Sequence, residues 1–301
     1  MRSAASARSV PLDAPSRSIP PPREALSGPV IGWPLARALP TLSGLESDPG
    51  AGSPPLPALF GSHAGVGIET HARPSTGRPE TRAELARLVH DRLMKEHGPV
   101  EKIQREPLDE LVLTILSQNT TDVNRDRAWE RLQEECADWE EVREGGRDRL
   151  EETIRVAGLA SQKSGTILRT LDRAREDFGE TTLRGLKEED DAEALRYLRS
   201  IKGVGLKTAA CVLAFSLRRN VIPVDTHVHR VAERTGLVPE GGTRNRTHRV
   251  LNAEDGVPGP IRLPLHLLLI RHGRATCTAR SPDCGSCPLV DLCPRVGVED
   301  A

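Results

Sequence analysis

From about residue 80 onward, apolar positions recur every three or four residues. That is helix spacing, and no segment of useful length alternates with the period of a strand. Thr81 to His97 predicts an amphipathic helix through Leu85, Leu88, Val89 and Leu93, stopped by Gly98-Pro99. Leu108 to Gln118 is an apolar run long enough for a buried helix. Asn119-Thr120-Thr121-Asp122 breaks and recaps it, and Val123 to Cys136 forms the next helix. Ser161 to Phe178 follows the punctuation of Gly158. A further pair flanks Gly203-Val204-Gly205, with Leu195, Leu198 and Ile201 ahead and Ala209, Val212, Leu213 and Ser216 behind. Asp225 to Thr235 and Pro264 to His272 predict two more. The expected fold class is all-α.

The helical hairpin at 195–217 carries the first chemical signal. Two glycines around one apolar residue let the backbone turn sharply and approach another group closely. The helix behind them then starts with free N–H groups, which favour an anion such as phosphate. Lys207 lies in its first turn, where the helix dipole and Lys202 are expected to lower its pKa. Between Leu195 and Gly236 eight Lys and Arg face two acids, a local charge of +6 in a chain whose net charge is −1. That local balance suits a surface that meets a nucleic-acid backbone. The stretch Glu134 to Glu152 is the opposite, at −6, and predicts a solvated face turned away from any polyanion.

Composition narrows the class. Charged residues make up 28% of the 301 positions and aromatics only 2%, so the core must be built from Leu, Val, Ile and Ala. Residues 1–79 hold more than half of the 24 prolines, with Gly, Ser and Ala and little periodicity, and predict a disordered tail. Its Arg/Ser/Ala-rich start faintly resembles an organelle transit peptide, but the same composition runs far beyond one. The longest apolar stretch, Leu263 to Ile270, is too short to span a bilayer. A cytoplasmic, nucleoid-associated protein is expected.

Four of six cysteines crowd into the C-terminal loop, Cys277-x6-Cys284-x2-Cys287-x5-Cys293. Four thiolates so close together can surround one metal centre, either tetrahedral zinc or an iron–sulfur cluster. Cys136 and Cys211 stand alone in helical pattern and predict small buried hydrophobes. The histidines at 227, 229, 266 and 272 are too dispersed to suggest a second metal.

Leu198-x-x-Ile201-x-Gly203-Val204-Gly205-x-Lys207-Thr-Ala, followed by Val224-Asp225-Thr226-His227-Val-His-Arg230-Val231, resembles the helix-hairpin-helix DNA glycosylases, endonuclease III above all. The cysteine loop, with Gly285 inside its middle pair, matches that family's cluster loop. The resemblance covers about Glu80 to Val298. It implies a six-helix hairpin domain at 122–237 and a helical cluster domain combining 80–121 with 238–298, with a DNA cleft between them. It further implies one [4Fe–4S] cluster on the four cysteines, and Lys207 and Asp225 as the catalytic pair. The implied activity is that of a bifunctional DNA N-glycosylase and apurinic/apyrimidinic lyase acting on oxidised pyrimidines. The implied partner is damaged duplex DNA, bound by a monomer. Lys202, Gly203, Val204 and Gly205 would meet the DNA backbone. Gly158-Leu159-Ala-Ser-Gln-Lys163 resembles the wedge loop, with Leu159 inserted and Lys163 beside the DNA. The gap left by an extruded base would be filled by Gln118 or by Asn119; the family's glutamine aligns with the latter. Arg280 and Arg295 are further candidates for phosphate contact. Ala275 stands where relatives often carry an aromatic residue. A glycosylase without lyase activity and a non-catalytic iron–sulfur DNA-binding protein are the alternatives, and Lys207 with Asp225 discriminates against both.

Overall fold

The computed structural model describes residues 79–100 and 104–298. Apart from its last residue, the tail expected at 1–79 lies outside the described residues. Among the described residues every regular element is helical, and no helix is long and apolar enough to cross a membrane.

Helix α1 (Arg82–His97) starts at Thr81, whose hydroxyl accepts the Glu84 N–H while the Glu84 carboxylate takes the Thr81 N–H. This reciprocal cap satisfies two donors that the helix start leaves free. Helix α2 (Pro107–Leu116) opens on a proline, which suits a first turn because it lacks the unneeded N–H. Thr121 caps α3 (Asp122–Glu135) and Asp138 caps α4 (Trp139–Thr153). The acidic stretch is thus largely a helix in its own right, anchored by Trp139, Val142 and Leu150. Helices α5 (Ala160–Phe178) and α6 (Asp191–Ser200) lead to the Gly-Val-Gly turn. Beyond it, α7 (Leu206–Cys211) runs on as a π-helical turn over Val212–Ser216. Helices α8 (Thr226–Arg234), α9 (Arg244–Asn252) and α10 (Arg262–Ala275) lead into the cysteine loop.

These helices build two cores. The first joins α2 to α7 around Leu111, Ile115, Leu132, Ile167, Leu171 and Leu198. The second joins α1 to α8, α9 and α10 around Val89, Leu93, Val228, Val231, Leu265 and Leu269, with three of the loop cysteines against it. The expected boundaries at 121/122 and 237/238 are therefore displaced. Helix α2 belongs with the hairpin, since Leu108, Leu111, Val112, Ile115 and Leu116 are all buried in the first core, where α2 packs on α7. At about 1.5–3 kcal/mol for each such side chain, that face decides where α2 goes. Helix α8 packs on α10 through Val228, Val231 and Ala232, so it belongs with the cysteine loop. The chain passes between the cores twice, near residue 104 and near residue 220. Arg274 of α10 adds a link across the junction, with Nη1 2.6 Å from Asp122 Oδ2 at the start of α3.

Candidate functional site

The hairpin turn is held from below. Gly203 has φ +103°, a conformation that favours glycine, and a Cβ there would collide with the Thr166 side chain. Val204 is buried and closes the turn through its N–H to Ile201 O at 3.0 Å. Lys202, Gly203 and Gly205 are exposed. Arg169 Nε donates to Lys202 O at 3.1 Å and its Nη2 to Thr166 Oγ1 at 3.1 Å, which braces the turn on α5. The sequence pattern gave no hint of this brace.

Lys207 is half-buried and lines a cleft with Gly205, Val224, Arg244, Asn245 and His248. Asp225 is half-buried and caps α8, its Oδ1 accepting the Val228 N–H at 2.8 Å. The pair spans the junction of the two cores. Burial works against the Lys207 ammonium, but Cys211, Asp225 and Glu110 outweigh it, and the pKa ends above its ordinary value. This corrects the expectation of a lowered pKa. The raising contributions of Cys211, Asp225 and Glu110 decide the direction, and Lys202 is not among the groups that set it. Glu110 and Cys211 thus belong to the site's electrostatics, although each reads in the sequence as part of an apolar helix. Burial in turn pushes the Glu110 carboxyl and the Cys211 thiol upward. His266 is buried with Nδ1 2.9 Å from Pro223 O, so that nitrogen carries the proton. Burial drives its pKa to about 4, with Asp225 opposing and Lys207 adding to the fall. It is a neutral imidazole beside a charged pair.

Two loops border the same face. Gln118 is half-buried and its Nε2 donates to Thr208 Oγ1 on α7 at 3.4 Å. Asn119 is exposed and stands in the left-handed region at φ 49°. Leu159 is 48% exposed at φ 50°, directly after Gly158 at φ 70°. Lys163 departs from expectation. Its side chain is one of the most deeply buried in the protein, and Nζ donates to Leu116 O and Ala157 O at 2.8 Å each. It cannot touch a phosphate, because the helical turn from Leu159 points it into the first core.

The four loop cysteines line one cavity together with Arg234, His272 and Arg295. Arg234 Nη1 donates toward Cys277 Sγ at 3.4 Å, and Cys293 Sγ donates to Arg234 O at 3.0 Å. His272 Nε2 lies 3.6 Å from Cys287 Sγ. Burial, followed by the neighbouring cysteines, pushes the Cys287 and Cys293 thiols upward. Four soft donors that repel one another when ionised suit a cationic inorganic core. Arg280 is exposed on this loop, whereas Arg295 faces the cavity. Ala275 is exposed at the end of α10.

Residues 112–253 match the description "HhH-GPD superfamily base excision DNA repair protein", and residues 277–293 match the "iron-sulfur binding domain of endonuclease III". Endonuclease III of Haemophilus influenzae is 32% identical over 207 residues, which cover 68% of this chain and 92% of that protein. The chain belongs to the endonuclease III family. Endonuclease III of Escherichia coli is likewise 32% identical, over 65% of this chain and 88% of that one. An Arabidopsis thaliana protein named as a DNA glycosylase is 37% identical, although the match spans 65% of its length. Among solved structures, a non-covalent endonuclease III–DNA complex has a TM-score of 0.61 at 26% identity, covering 72% of this chain and 97% of that one. A trapped endonuclease III–DNA covalent intermediate has a TM-score of 0.60 at the same identity and coverage. As an endonuclease III relative, the chain is a DNA glycosylase of base-excision repair with an iron–sulfur binding domain, and it binds DNA.

Proposed function

We propose that this glycosylase is bifunctional: it removes oxidised pyrimidines from duplex DNA and cuts the strand 3′ of the resulting site. The observation that carries the reading is the placement of Lys207 in a cleft with Val224, whose neighbour Asp225 caps α8 across the core junction, beside the exposed Gly203 and Gly205. Lys207 enters as an ammonium, and Asp225, the carboxylate that helps hold its proton, is also the nearby group able to take it. The neutral Nζ attacks the sugar C1′ and the base leaves with the electrons of the C1′–N bond. The two amine protons pass to the departing base and to the ring oxygen as it leaves C1′, and an imine joins Lys207 to the opened sugar. Loss of a C2′ proton breaks the C3′–O bond and releases the 3′ strand.

C1′ is out of reach until the nucleotide leaves the stack. Leu159, exposed and apolar, suits the wedge. Asn119 suits the gap, because it is exposed while Gln118 is turned inward onto Thr208. Lys202 and the hairpin amides meet the phosphates, as the charge of this segment favours. The partner is double-stranded DNA with damaged bases or abasic sites, bound by one copy of the chain in the nucleoid.

For the cysteine loop we assign a [4Fe–4S] cluster held by Cys277, Cys284, Cys287 and Cys293. These four line one cavity, and the segment that carries them matches the iron–sulfur binding domain of endonuclease III, which supports the assignment. Bound there, such a cluster would cross-link the four thiolates and hold the loop against the second core. Protein purified without oxygen is expected to carry about four irons and four sulfides per chain. Stoichiometric zinc without sulfide would overturn the assignment.

Borohydride tests the chemistry. Added to the full chain and a duplex with one abasic site, it reduces the imine and leaves protein fixed covalently to DNA. Strand cleavage with no trapped adduct would sink the lysine mechanism.

A further inference from the structure

Lys163 is a buried cation that the proposed chemistry does not use. Its backbone N–H donates to Leu159 O at 2.9 Å. Its ammonium donates to Ala157 O, two residues before Leu159, and to Leu116 O, three residues before Asn119. One side chain therefore grips both loops that border the site, at the residues from which their tips spring. Those tips share a second property. Among the described residues four that are not glycine have positive φ, and Asn119 and Leu159 are two of them. A leucine held left-handed persists only where its surroundings over-determine it. The carbonyl that ends α2 and the carbonyl that ends the 3-10 turn Arg155–Ala157 both need a donor, and a cation at a helix C-terminus is favoured twice over.

We propose that Lys163 is a positioning residue that couples the Asn119 loop to the Leu159 loop, so that wedge and gap-filler enter the duplex as one unit. The proposal rests on the DNA reading given above for these two loops. Burial pushes the Lys163 pKa down to about 8, while the two carbonyl oxygens favour the charged form, so the tie is intact near neutral pH.

A double-mutant cycle read by base extrusion tests it. The full chain is mixed with a duplex holding a stable abasic analogue opposite 2-aminopurine, and the fluorescence rise gives the rate at which the opposite base is unstacked. Asn119→Gly and Leu159→Ala each slow that rise. With Lys163 present the two losses are expected to fall short of multiplying, by about fivefold or more, as for residues that act through a shared partner. In Lys163→Met the same two changes are expected to multiply. Losses that multiply in the parent chain, or coupling that survives Lys163→Met, would overturn the proposal. If Lys163→Met fails to fold, the cycle in the parent chain decides alone. The fluorescence signal needs no covalent step, so a missing borohydride adduct would strike the lysine chemistry and leave the loop coupling standing.

Discussion

Two lysines are withdrawn from solvent here, and their surroundings treat them in opposite ways. Lys163 meets only backbone carbonyls and apolar groups, and burial lowers its pKa to about 8. Lys207 meets Cys211, Asp225 and Glu110, and its pKa is raised. On acidity alone Lys163 would pass for the better nucleophile. Its donors are spent on two carbonyls inside a core, however, whereas Lys207 lines an open cleft beside a carboxylate that can take its proton. Reactivity follows access and a proton acceptor more than a low pKa in the resting protein.

The largest test of that contrast is Lys207→Gln. It keeps length and hydrogen bonding but removes the amine, and should abolish the trapped adduct and strand cleavage by about a thousandfold or more, with DNA affinity within a few-fold. An adduct of undiminished yield would move the nucleophile elsewhere, Lys163 included. Asp225→Asn should slow imine formation by roughly a hundredfold at neutral pH while keeping the α8 cap, since asparagine caps as well as aspartate. It also carries a sign. Asp225 helps to raise the Lys207 pKa, so removing its charge lowers that pKa. The rise of rate with pH should then shift to lower pH in Asp225→Asn, as single-turnover assays on abasic DNA would read.

Lys163→Met should act mainly on stability. It strips the donor from two buried carbonyls, at about 1–3 kcal/mol each, and should lower the urea midpoint. The parent chain should also gain stability as pH rises from about 8 toward 10.5, because in that window the unfolded Lys163 binds a proton that the folded one has shed. Lys163→Met should flatten that gain. Smallest is Lys202→Gln, on the exposed turn. It should weaken DNA binding uniformly and reduce the salt slope by about 0.9, with chemistry unchanged once DNA is saturating. A fall in the trapped-adduct rate instead would place Lys202 in the electrostatics of Lys207.

The same two lysines show what could be read before folding. Lys207 sits four residues after Gly203, and Asp225 directly precedes a helical pattern, so both belong to local motifs. The cysteine loop is local in the same way. Lys163 belongs to a local motif too, but its acceptors are 6 and 47 residues away, and only tertiary packing shows that its charge points inward. The resemblance of its segment to the wedge loop places it beside the DNA instead. The Lys207 environment failed for a related reason: Glu110 lies on α2, and no spacing rule ties α2 to α7. The domain limits that the resemblance implies, 121/122 and 237/238, differ from the two cores because the apolar faces of α2 and α8 choose partners across those limits. Helix α9 lies outside the helices that the periodicity predicts, because its buried face holds a single large apolar residue, Leu251, beside Thr247 and His248.

The double passage between the cores also sets an order of events during synthesis. The first core is contiguous, from about residue 107 to 217, and can close while the rest of the chain is still being made. Helix α1 precedes it but packs on α10, which begins at Arg262. At roughly 5–20 residues per second, Ala86, Val89 and Leu93 wait on the order of ten to thirty seconds for the surface that will cover them. Helix α1 is thus among the last of the described elements to be seated, and until then its apolar face is open to a chaperone.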